Sequence, residues 1–108
     1  MQNWTPKDLE GHLDAGKTVF LKLWKKGCGA CKLSEPAIER IAAARVNSGI
    51  EFGQIQADEY PEIMEIADTD VLPVFFVFKD KDMKGRFIGF KGLAKLEAFV
   101  EESLEKDG

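Results

Sequence analysis

The chain predicts an α/β fold: a central mixed sheet of four to five strands, with helices flanking both faces. Three observations carry this. Apolar, β-rich runs at Val19–Trp24, Glu51–Ala57 and Val74–Lys79 are separated by segments of helical periodicity, so successive strands pair in parallel through crossovers. A polar turn around Asp80, Lys81 and Asp82 joins Val74–Lys79 to a second β-rich run, Gly85–Phe90, which adds an antiparallel edge. The 108 residues, 44% of them hydrophobic, suffice for one core without staples and are expected to form a single domain over 1–108.

The elements follow in order. Thr5 caps a first helix, with Pro6 in its opening turn and Asp8 complementing its dipole; it runs to about Leu13 and stops near Gly16. Val19–Trp24 is apolar on both faces except at Lys22, as befits a central strand covered on both sides. From Cys28 to about Val46, Leu33, Ala37, Ile38, Ile41 and Ala44 recur at helical spacing, and Pro36 should kink that helix about two turns in. After the strand Glu51–Ala57, Asp58 is placed to cap a short helix ending at Ala67. The chain closes with an amphipathic helix over Leu93–Glu105, with Leu93, Leu96, Phe99, Val100 and Leu104 on one side.

Charge and composition exclude several functions. A net charge of −4 gives no reason to expect nucleic acid or an anionic membrane as partner. Val71–Phe78 is far too short to span a bilayer, and the N-terminus lacks the basic and apolar regions of a signal peptide. The protein is therefore read as cytoplasmic and monomeric. Its cysteine use agrees, since an intracellular Cys-x-x-Cys is more often catalytic or metal-binding than structural.

That motif is the sharpest feature. Cys28 and Cys31 are the only cysteines, set in Gly27-Cys28-Gly29-Ala30-Cys31 between a strand and a helix. Unpaired N–H groups and partial positive charge at a helix start favour thiolate at the first cysteine. The two-residue spacer lets the second sulfur reach the first with little backbone movement, so the disulfide can open and close repeatedly.

The stretch Trp24–Lys32 resembles the active-site segment of the thioredoxin family, with Trp24 and Lys32 at matching positions. Pro36 resembles the family's helix-kinking proline, and Asp58 the aspartate that ends its next strand. Leu72-Pro73 resembles its cis-proline loop, and Gly89 the glycine of its last strand. The alignment runs without gaps from about Leu9 to the end. Four departures stand out: Ala30 replaces a usual proline, Gly27 an aromatic, Lys22 a buried aspartate, and Gln54 a lysine that often accompanies that aspartate. The chain also begins about four residues late, so its first edge strand should be short or missing.

The resemblance implies a thioredoxin fold and a protein dithiol–disulfide oxidoreductase acting on disulfide-containing proteins. It implies no bound cofactor and recharging by a thioredoxin reductase. Cys28 is the expected nucleophile, biased towards thiolate by the helix start and by Lys22, Lys25 and Lys26. Cys31 is the resolving residue. Gly29 and Ala30 space the sulfurs, and the Ala30 N–H, which proline would lack, favours the thiolate and so a weaker reductant. A cis Leu72-Pro73 bond would present the Leu72 backbone to an extended substrate segment, in a shallow groove lined also by Trp24, Gly27 and Gly89. Lys22 has two readings: a partner of the sulfurs, as cation or as proton acceptor, or a strand residue snorkelling to the sheet edge.

Two other functions remain open from sequence. One is a redox-inert binding module that uses the groove alone. The other is an iron–sulfur cluster bridged between the cysteines of two chains. No metal site within one chain is expected, because two thiolates and the isolated His12 do not complete a tetrahedron.

Overall fold

The computed structural model describes residues 1–106. Gln2–Asn3 forms a two-residue strand, β1, so the first edge strand is short but present. Pro6–Asp14 is α1, opened by a reciprocal cap: the Asp8 N–H donates to Thr5 Oγ1 at 3.2 Å and the Thr5 N–H to the Asp8 carboxylate at 2.9 Å. The next elements are β2 (Val19–Trp24), α2 (Gly29–Leu33), α3 (Glu35–Ala44) and β3 (Glu51–Gln56). A 3-10 helix, Pro61–Ile66, leads to β4 (Val74–Lys79), β5 (Asp82–Ile88) and α4 (Leu93–Glu105).

The five strands lie in the order β1-β3-β2-β4-β5. β2 runs parallel to β3 and antiparallel to β4, and β5 closes the far edge antiparallel to β4. Alternation along β2 divides the core between the two faces. Val19, Leu21 and Leu23 pack with Ile55, Phe76 and Ile63 on one face. Phe20, Phe75 and Val77 pack with Ile38 and Ile41 of α3 and Leu96 and Val100 of α4 on the other. Each such side chain contributes roughly 1.5–3 kcal/mol by leaving water.

Trp4 ties the short first strand to this core. Its ring is buried, packs at a tilt of 38° against His12 with centroids 4.6 Å apart, and lies directly over Gly53 of β3. A Cβ at Gly53 would overlap the ring. Gly53→Ala is therefore expected to lower unfolding stability by about 1–3 kcal/mol. Urea titration followed by circular dichroism checks this, and an unchanged midpoint would show that Trp4 has room to move.

Four features depart from expectation. The alternation of strands and helices predicts a parallel β4, but β4 runs antiparallel to β2, because the short 3-10 segment returns the chain to the same end of the sheet at which β3 stops. The helix after the cysteines does not merely kink but divides at Ser34, which ends α2 and opens α3. Pro36 has no N–H to give to Lys32, and the break turns Leu33 out of the apolar stripe, leaving it 72% exposed. Asp58 caps nothing: Tyr60 stands at the start of the 3-10 helix with Pro61 in its first turn, and the Asp58 carboxylate accepts from Gln56 Nε2 at 3.0 Å. The returning strand starts three residues earlier than the apolar pattern suggests. Asp80 and Lys81, at φ 53° and 70°, make a two-residue turn that pairs Asp82 with Lys79 at once. It stops at Ile88, where Gly89 turns to φ 79°.

Candidate active site

The cysteines stand just beyond the end of the central strand. Cys28 is the cap of α2 and Cys31 lies within its first turn, so the short spacer brings their Cα atoms to 5.3 Å, and the two are joined as a disulfide. Cys28 is half-buried, whereas Cys31 is 2% exposed. The N–H that reaches Cys28 Sγ, at 3.2 Å, is that of Cys31 rather than of Ala30. Across from it, the carbonyl oxygen of Leu72 lies 3.8 Å from Cys28 Sγ. Leu72-Pro73 is a cis bond, and the Gly89 N–H donates to the Pro73 carbonyl at 2.7 Å, which draws the loop and the end of β5 together.

Lys22 does not snorkel. It is 1% exposed, on the β2 face that carries Phe20, and its Nζ donates to the Cys31 carbonyl at 2.8 Å. Ser34 Oγ donates to the same carbonyl at 2.6 Å. Burial lowers the Lys22 pKa from its ordinary value, and the nearby Glu35 carboxylate opposes that shift. A buried lysine hydrogen-bonded to the Cys31 backbone thus adjoins the pair. Its type was legible in the sequence; its acceptor was not, because nothing local fixes which carbonyl a long side chain will reach.

A cleft of about 390 Å³ adjoins the pair. Its charged walls are Lys22, Lys25, Lys32 and Glu35. Trp24, Gly27 and Gly29 complete it, while Leu72 meets Cys28 from outside it, with Pro73 and Gly89 joined to each other behind Leu72. The predicted groove residues therefore fall into two groups that share Cys28. The Trp24 indole N–H is buried and, among the described residues, has no hydrogen-bond partner. Lys26 does not line the cleft; it lies by Asp58, whose carboxyl is held below its ordinary range by Gln56 and, more weakly, by Lys26. His12 packs against Trp4, away from both cysteines in the fold. No helix is long and apolar enough to cross a membrane.

Comparison with known proteins agrees with this geometry. The thioredoxin family model matches residues 2–102. A thioredoxin of Mycoplasma genitalium is 32% identical over 90 residues, 83% of this chain and 86% of that one. A bifunctional thioredoxin reductase/thioredoxin of Mycobacterium leprae is 29% identical over 84 residues, 78% of this chain and 18% of its own length. Among solved structures, Plasmodium falciparum thioredoxin superposes with a TM-score of 0.82 at 19% identity, covering 94% of this chain and 98% of that one. Given the family match over nearly the whole chain and the paired cysteines after the central strand, this protein belongs to the thioredoxin family and is a thiol–disulfide oxidoreductase.

Proposed function

We propose that this protein reduces or exchanges disulfides in other proteins, with Cys28 as nucleophile and Cys31 as resolving thiol. In the reduced protein the Cys28 thiolate attacks one sulfur of the substrate disulfide, forming a mixed disulfide and releasing the first substrate thiolate. Cys31 then attacks Cys28 Sγ, forming the Cys28–Cys31 bond and releasing the second. Two electrons pass to the substrate. The carrying observation is the asymmetry of the pair: one half-buried sulfur at a helix cap and one buried sulfur behind it.

Leu72, on the loop 3.8 Å from Cys28 Sγ, offers backbone groups to an extended substrate segment, with Pro73 and Gly89 shaping that edge. Trp24, Gly27, Gly29 and Ala30 set the access and spacing of the sulfurs. Lys22 tunes them as a buried cation, in place of the carboxylate that the resemblance led us to expect there. The cycle needs no bound cofactor and is recharged by a thioredoxin reductase, a reading supported by the relative in which both activities share one chain. We place it in the cytoplasm as a monomer.

Insulin reduction tests the proposal. With dithiothreitol as electron source, the protein should precipitate insulin chains at catalytic concentration, and Cys28→Ser should abolish this. A wild-type rate equal to dithiothreitol alone would reject the assignment. With Lys22 buried beside the pair, the potential should be less negative than the roughly −270 mV of thioredoxin.

A further inference from the structure

We propose that the cleft beside Cys28 and Cys31 binds a small anionic thiol, a carboxylate-bearing compound of low molecular weight, which reduces the disulfide directly. This rests on the pair being a redox couple, as proposed above, and adds a second electron donor besides a reductase. Size is the first ground. About 390 Å³ of concave space beside a disulfide falls within the roughly 300–1,000 Å³ of small-molecule sites.

Charge is the second. Three of the four charged walls are cations, Lys22, Lys25 and Lys32, against Glu35 alone. Among the described residues, neither Lys25 nor Lys32 has an ion-pair partner within 4 Å. Lys26 likewise has no ion-pair partner within 4 Å among the described residues, but it lies outside the cleft, by Asp58. Lys22 is the third. It is almost wholly buried, its one hydrogen bond goes to a carbonyl that Ser34 also satisfies, and Glu35 is the one carboxylate on the cleft wall that faces its charge. With three lysines to one carboxylate, an anionic ligand balances the wall.

The chemistry balances. The bound thiolate attacks the accessible sulfur, Cys28 Sγ; the Sγ–Sγ bond breaks and Cys31 leaves as a thiolate that takes a proton from water. A second thiolate attacks the ligand sulfur of the mixed disulfide and releases Cys28. Two small thiols become one small disulfide, and the protein gains two electrons and two protons.

The test is the rate at which the oxidised protein is reduced by reduced glutathione (net anionic), 2-mercaptoethanol (neutral) and cysteamine (cationic), each corrected for its thiolate fraction. The glutathione rate should saturate with concentration. The glutathione-to-mercaptoethanol ratio should fall about fivefold or more in Lys25→Ser/Lys32→Ser, as expected for losing two charge contacts, while cysteamine gains. Lys26→Ser removes the same charge from outside the cleft and should leave that ratio within about twofold. An unsaturable glutathione rate, or an equal fall with Lys26→Ser, would overturn the site and leave only a general field. If 2-mercaptoethanol reduces the pair and glutathione has no advantage, this inference falls alone; if no thiol reduces it, the proposed function falls as well.

Discussion

Replacing Cys31 with serine is expected to leave Cys28 covalently joined to its protein substrates, whereas replacing Cys28 should trap almost nothing. The reason is positional. Cys28 caps α2 and is half-buried, so a substrate sulfur can approach it, while Cys31 is enclosed by the helix and by the strand end beneath it. Without the Cys31 sulfur, a mixed disulfide at Cys28 has no internal thiol to resolve it and lasts until an outside thiol arrives. Incubating each variant with cell extract and comparing the covalent complexes on non-reducing gels gives the measurement. Equal trapping by both would overturn the roles.

Lys22→Met is expected to stabilise the fold and to blunt the chemistry. The substitution keeps the buried stem and removes a charge that has no ion-pair partner within 4 Å among the described residues. The Cys31 carbonyl keeps its bond from Ser34, so no acceptor is orphaned. A gain of about 1–3 kcal/mol near neutral pH is expected. The sign with pH follows from the lowered pKa of Lys22. Between its folded value and the ordinary 10.5, the unfolded chain holds a proton that the folded protein has released, so wild-type stability rises with pH across that window. The advantage of the variant is therefore full below the folded value and shrinks as pH approaches 10.5. Removing the cation should also raise the Cys28 pKa and slow alkylation near neutral pH. Denaturation at several pH values and alkylation rate against pH are the two readouts. Superimposable alkylation curves would leave Lys22 without influence on the sulfurs.

Much of this fold is legible in the sequence because its signals are local. Val19–Trp24, Val74–Lys79 and Leu93–Glu105 follow the apolar pattern to the residue, since each is bounded by a proline, a glycine or polar residues and packs both or one of its faces as the pattern implies. What was not legible depends on competition between neighbours. Asp58 has a capping side chain, but Gln56 takes it and Pro61 opens the helix without it. The Pro36 pattern signals a bend, yet whether the helix bends or divides depends on how Ser34 settles between two helices, and that sends Leu33 outward. At the site, the pairing of Cys28 with Cys31 is plain in the motif. The cleft is not, because Lys22, Lys25, Lys32 and Glu35 converge only once β2, α2 and α3 are assembled.

β2 is hydrogen-bonded to β3 on one side and β4 on the other, across nearly its whole length. Such a strand has no route to local opening; its amides are released only when the whole sheet comes apart. The sulfurs emerge just beyond the end of this strand, so the pair takes its position from a part of the sheet held on both sides. A strand bonded on both sides thus sets where the redox pair stands relative to the core.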